Sequence, residues 1–112
     1  MYEEGTVLCA SSAYTKQFYL SPEFEGLPEG IREELKIMCV LYTEDVGGTL
    51  LLRFDEEGNL NFETDANEED LLYDEIGSVL KIKQIQAQKA DFLESLEMYY
   101  RVFFLGEVWE DE

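Results

Sequence analysis

The chain contains no histidine. That one absence removes the commonest general base, the Ser-His and Cys-His nucleophile pairs and every imidazole metal ligand. Cysteine is nearly absent as well: Cys9 and Cys39 each lie among apolar neighbours, too few for a disulfide framework or a zinc set. They read as buried, reduced thiols of a cytoplasmic protein. Basic residues are scarce, with 8 Lys and Arg against 26 Asp and Glu, a net charge of −18. Such a field repels phosphate backbones and anionic headgroups, which argues against direct nucleic-acid or membrane binding. No apolar run approaches the ~20 residues a membrane-spanning helix needs, since even Met98–Leu105 is broken at Arg101. The opening Met1-Tyr2-Glu3-Glu4 lacks a basic segment, and Val7–Ala10 is too short for a signal-peptide core, so secretion is not expected. A glycine-rich phosphate loop, a dinucleotide fingerprint and an internal repeat are missing too. The expectation is a protein that is not an enzyme and carries no cofactor.

What is present is enough to fold. Apolar residues make up 46% of 112, including seven Phe and seven Tyr, far above the composition of disordered chains. One domain over residues 1–106 with an acidic tail at 107–112 is the simplest division. Thr6–Ser12 and Lys16–Leu20 are rich in β-branched, aromatic and small residues and predict two strands around a turn at 13–15. Ser21-Pro22 turns the chain, with serine as a cap and proline at the first helical position, and Gly26 ends that turn. From Pro28 the apolar period changes: Ile31, Leu35, Met38, Cys39, Tyr42 and Val46 share one helical face, and Gly47 supplies a C-terminal stop. A strand over 37–43 is the alternative. Leu50, Leu52 and Phe54, then Leu60 and Phe62, alternate across Asp55-Glu56-Glu57-Gly58-Asn59, the pattern of a β-hairpin with glycine at its positive-φ position. Asp65 or Asn67 is then expected to cap a helix whose first turn carries Glu68, Glu69 and Asp70. Its apolar face runs through Leu72, Ile76, Val79 and Leu80, then Ile82, Ile85, Phe92, Leu96, Tyr99 and Phe103, broken only by Lys89. That predicts one long or kinked helix, or two in succession, with a bend at Gly77 and an end at Gly106. The fold class is α+β: a small antiparallel sheet, made of the two N-terminal strands and the hairpin, packed against a central helix and a C-terminal helical region.

Two features carry functional expectations. Residues 55–75 hold ten acids and no base. As a calcium loop they fail: counted from Asp55, the sixth position is Leu60 rather than glycine and the twelfth is Ala66. No metal site is therefore assigned, although small-ligand or divalent-cation binding by these carboxylates is an alternative. The acids also serve as solvated loop and first-turn residues. The functional expectation is that Glu56 and Glu57 at the hairpin tip join Glu68, Glu69 and Asp70 in one negative patch that docks on a basic protein surface. Secondly, Met98–Leu105 is apolar nearly all round a helix. Either the domain core covers both sides, or Tyr100, Phe104 and Trp109 anchor a partner or a homodimer through the C-terminal helix.

The runs Cys9-Ala-Ser-Ser-Ala-Tyr-Thr-Lys16, Leu35-Lys-Ile-Met-Cys-Val-Leu-Tyr-Thr-Glu-Asp-Val-Gly-Gly48, Leu72-Tyr-Asp-Glu-Ile-Gly-Ser78 and Tyr99-Tyr-Arg-Val-Phe-Phe-Leu-Gly106 resemble a family of short, acidic proteins of anaerobic Firmicutes, a domain of unknown function. The likeness spans nearly the whole chain. It implies a bacterial, cytosolic origin and supplies no activity or site residues.

Overall fold

A computed structural model describes residues 5–107. Strands β1 (Thr6–Ser12) and β2 (Gln17–Leu20) form the expected hairpin, with Lys16 taking a positive φ of 56° in the turn. A 3₁₀ turn (Pro22–Phe24) and helix α1 (Glu29–Val46) follow, then strands β3 (Thr49–Phe54) and β4 (Leu60–Asp65) and helices α2 (Glu75–Gln88) and α3 (Ala90–Phe103). The four strands make one antiparallel sheet in the order β2-β1-β3-β4. The fold is α+β, with helices on one face of the sheet. Among the described residues no helix is long and apolar enough to cross a membrane.

The alternation read from the hairpin holds residue by residue. Leu50, Leu52 and Phe54 are fully buried beneath the helices, while Leu51 and Arg53 lie on the opposite, open face. A bulge between Val7 and Cys9 gives β1 one extra residue, so that Leu8 and Cys9, adjacent in sequence, are both completely buried. On α1 the face Leu35, Met38, Cys39, Tyr42 and Val46 is buried and Ile31 packs at its margin, as the 3.6-residue period requires. Helix, not strand, is thus the state of 37–43. Gly47 stops α1 with φ 84°, its amide bonded to the Thr43 carbonyl. At Ser21 the hydroxyl makes no cap, and it is the carbonyl that accepts from the Phe24 amide.

Two expectations about the C-terminal half are corrected. The helix does not begin at Asp65 or Asn67. Asp65 is the last residue of β4, paired with Thr49, and α2 starts ten residues later behind Asp74, whose Oδ1 accepts from the Gly77 amide at 2.8 Å. The ladder wins because β3 offers six residues to pair, and because the intervening acids turn their carboxylates on nearby amides: Asp65 on Ala66 and Asp70 on Leu72. Nor does Gly77 bend the helix. It sits in the first turn, where a Cβ would lie 2.3 Å from Asp74 Oδ2. The break falls at Lys89, which leaves helical geometry and anchors the corner to α1 by an Nζ to Glu34 Oε2 bond of 2.9 Å.

Beyond that corner α3 closes the core with rings. Tyr100 stacks on Phe54 at 4.3 Å between centroids, and Phe104 stacks on Phe24 at 4.8 Å and on Tyr100 at 4.9 Å. Each such pair adds about 1 kcal/mol to the burial of its surface. The Tyr100 hydroxyl is 2.9 Å from Thr6 Oγ1, which ties the end of α3 to the start of β1.

Candidate functional site

The expected acidic patch is divided by the fold. Glu56 and Glu57 are exposed at the β3–β4 tip, whereas Glu68 and Glu69 are exposed beyond the other end of β4. A six-residue strand places the two groups about 17 Å apart or more, so they form two surfaces. The tip is occupied with its own structure. Asp55 Oδ1 accepts from the amides of Glu57 and Asn59, both at 2.9 Å, and these bonds, led by that of Asn59, hold its carboxyl below the ordinary range. Arg101 of α3 lies over it, donating to the Glu57 carbonyl and to Asn59 Oδ1. Gly58, at φ 88°, is needed there because a Cβ would come within 2.6 Å of the Arg101 chain.

The aromatic anchors are also placed differently. Tyr100 is only 4% exposed and Phe104 is half-buried on the same stack, so both rings serve the domain's own core. Trp109 lies outside the described residues. On α3 the ring left facing solvent is Phe103.

The feature the sequence pattern hid is at residues 66–80. Helix α2 has two apolar stripes. Ser78, Ile82 and Ile85 face α1 and the core; Ile76, Val79 and Leu80 lie on the far side, 75%, 56% and 61% exposed. Leu71 and Leu72, in the turn before the helix, are exposed at 92% and 93%. Expected as the core face, Leu72, Ile76, Val79 and Leu80 instead form an outward ridge. Both stripes obey helical spacing, so periodicity could not say which one is covered. The signal available was the surplus itself: a helix apolar on two sides asks for two covers.

This ridge stands on a fastened segment. Tyr14, from the β1–β2 turn, donates to Asp70 Oδ2 at 2.6 Å while its hydroxyl accepts from the Asn67 amide; the Asp70 bond raises the phenol's pKa. Tyr73 lies against Gly48, whose φ is 70° and where a Cβ would be 2.5 Å from the Asp65 carbonyl and 2.8 Å from the Tyr73 ring. The Tyr73 hydroxyl donates to Ser78 Oγ at 2.9 Å, and Ser78 meets the Tyr42 hydroxyl at 2.5 Å. Burial chiefly pushes the Tyr42 phenol's pKa up. Between β4 and α2 an open groove of about 800 Å³ is walled by Thr64–Asn67 on one side and Tyr73–Val79 on the other. Its charged lining is Asp65, Glu68, Asp70, Asp74 and Glu75, without a base. Among the described residues no three or more His, Cys, Asp or Glu are grouped to hold a metal ion.

A family model matches residues 5–108, and the chain belongs to that family, DUF6145, a family of unknown function. No curated protein and no solved structure matches it.

Proposed function

We propose that the protein is a non-catalytic docking module that binds a basic protein surface through the α2 ridge and the acids around it. The observation that carries this reading is the exposure of Leu71, Leu72, Ile76, Val79 and Leu80 on one pre-fastened segment. Several large apolar side chains left exposed on one short segment of a folded chain mark an interaction site. Because Tyr14, Tyr73 and Asp74 already hold the segment in place, little ordering remains to be done on association. Glu68, Glu69, Asp74 and Glu75, all exposed, are interleaved with or adjoin the ridge residues along the chain. They would steer a basic partner toward it, and the ridge would supply most of the affinity. A second copy of the chain suits the surface poorly, since a symmetric contact would set each acidic rim against its like at −18 per protomer. We place the module in the bacterial cytoplasm, where the two buried thiols Cys9 and Cys39 stay reduced.

The test is affinity capture with the wild-type chain and with Leu72→Ser/Ile76→Ser/Leu80→Ser, followed by calorimetry on the purified basic protein retained. Wild type should bind one to one, more weakly at high salt. The triple variant, unchanged in stability, should bind at least about thirtyfold more weakly. Equal binding by the variant would refute the ridge as the site.

A further inference from the structure

β4 is an outer strand, and its ladder to β3 determines which of its backbone groups are used. The Asp55 amide donates to the Asn59 carbonyl at 2.9 Å, which makes that facing pair a hydrogen-bonded one. Counting by twos along the antiparallel register, Asn61, Glu63 and Asp65 bond to Arg53, Leu51 and Thr49. Leu60, Phe62 and Thr64 therefore turn their N–H and C=O groups away from the sheet. The Leu60 amide agrees: it points outward and is taken by Glu97 Oε2 of α3 at 2.8 Å. α3 thus closes the edge at its beginning. Farther along, the Phe62 and Thr64 amides have no such side-chain partner among the described residues.

Natural sheets guard such edges with charges, bulges, short strands or a covering element. At Phe62–Thr64 the one charged side chain, Glu63, points to the open face and pairs with Arg53 at 2.9 Å, so it does not guard the edge. At its Thr64 end the edge borders the acidic groove. We infer that this groove receives an extended segment of the basic partner, which adds as a fifth strand along β4 at Phe62–Thr64. The inference rests on the docking reading above and specifies its mode. Backbone hydrogen bonds would hold the segment, alternate apolar side chains would reach Ile76 and Val79 on the helix side, and Lys or Arg between them would emerge on the open face beside Glu63 and Asp65. Charge complementarity selects this occupant over a second copy, whose own edge is equally acidic.

The probe is a fluorescein-labelled nine-residue peptide of alternating Lys and Val, together with the same peptide N-methylated at alternate amides. Both peptides are titrated into wild type, Thr64→Pro, Thr64→Val and the ridge variant Leu72→Ser/Ile76→Ser/Leu80→Ser. Proline removes an outward donor without breaking the β3–β4 ladder, and valine controls for the lost hydroxyl. Thr64→Pro and N-methylation should each weaken binding by at least about tenfold, and Thr64→Val by no more than about twofold. Should Thr64→Pro fail to fold, the N-methylated peptide on wild type decides. Full binding of the N-methylated peptide, lost only in the ridge variant, would overturn strand addition and leave the docking reading standing. No salt-sensitive binding of either peptide would overturn both. Sedimentation of wild type as a dimer that Thr64→Pro dissociates would assign the edge to a second copy and overturn the proposal.

Discussion

Helices α2 and α3 are each 14 residues long, both carry apolar residues on more than one side, and the fold treats them differently. On α3 the second side is roofed. Phe24, brought in by the 3₁₀ turn, slides beside Phe104 and Tyr100, while Phe54 lies beneath Tyr100. On α2 no corresponding element arrives among the described residues, and Ile76, Val79 and Leu80 are exposed. The lesson is that surplus apolar surface on a helix states a demand for cover without saying who supplies it. For α3 the supplier is a connector some eighty residues earlier in the chain. For α2 we propose that it is another protein.

The contrast is most strongly tested by truncation on each side of it. Phe54→Ala removes a fully buried ring from the aromatic stack and should cost about 4 kcal/mol in urea denaturation. Ile76→Ser, on the open ridge, should stay within about 0.5 kcal/mol of wild type. A cost at Ile76 near that of Phe54 would mean that the ridge is covered in the free protein. Next in size is Gly48→Ala, which must hold a positive φ and meet the Asp65 carbonyl and the Tyr73 ring. We expect a loss of about 2 kcal/mol, together with faster amide exchange across 66–74, since that contact seats the segment bearing Leu71 and Leu72. Unchanged exchange there would show that the ridge is held without Gly48. Asp74→Ala removes the side-chain cap of α2 and should cost about 1 kcal/mol, again with the loss read as exchange in the first turn of α2 rather than in α3.

The smallest effect expected is a pH dependence at the hairpin tip. Asp55 has its folded-state pKa lowered by the amides it caps, so its contribution is present above the ordinary carboxylate pKa and is lost as pH falls through the lower folded value. Thermal melts of wild type and Asp55→Asn should differ at pH 7 and draw together as the pH falls below the ordinary carboxylate range. A difference that grows on acidification would contradict the assigned network.

Much of the fold could be read from residue order because the relevant signals are local. The alternation Leu50, Leu52, Phe54 specifies a strand face whatever packs on it, and Gly58 and Gly47 occupy positions whose positive φ disfavours other residues. The face of α1 was equally plain, since Leu35, Met38, Cys39, Tyr42 and Val46 repeat along the helix, whereas the opposite apolar pair, Ile37 and Leu41, is short and exposed. The start of α2 was misread because Asp65, Asn67, Asp70 and Asp74 are all chemically fit to cap a helix. The choice among them fell to β3, which extends the pairing as far as Asp65. The candidate patch failed for a related reason: Glu57 and Glu68 are close in sequence, but an extended strand puts more distance between them than a helix or loop would.

By itself the sequence determined that this chain is acidic, folds as α+β and has no imidazole chemistry, and it marked the strand faces, the α1 face and the turns. These depend on composition and on periods of two and 3.6 residues. Only the tertiary structure decided that Tyr100 and Phe104 are spent inside, that Leu72, Ile76 and Leu80 remain outside, and that the acids of 55–75 divide between two ends of β4. Burial is a property of pairs of surfaces, and which surfaces meet depends on contacts between residues far apart in the chain.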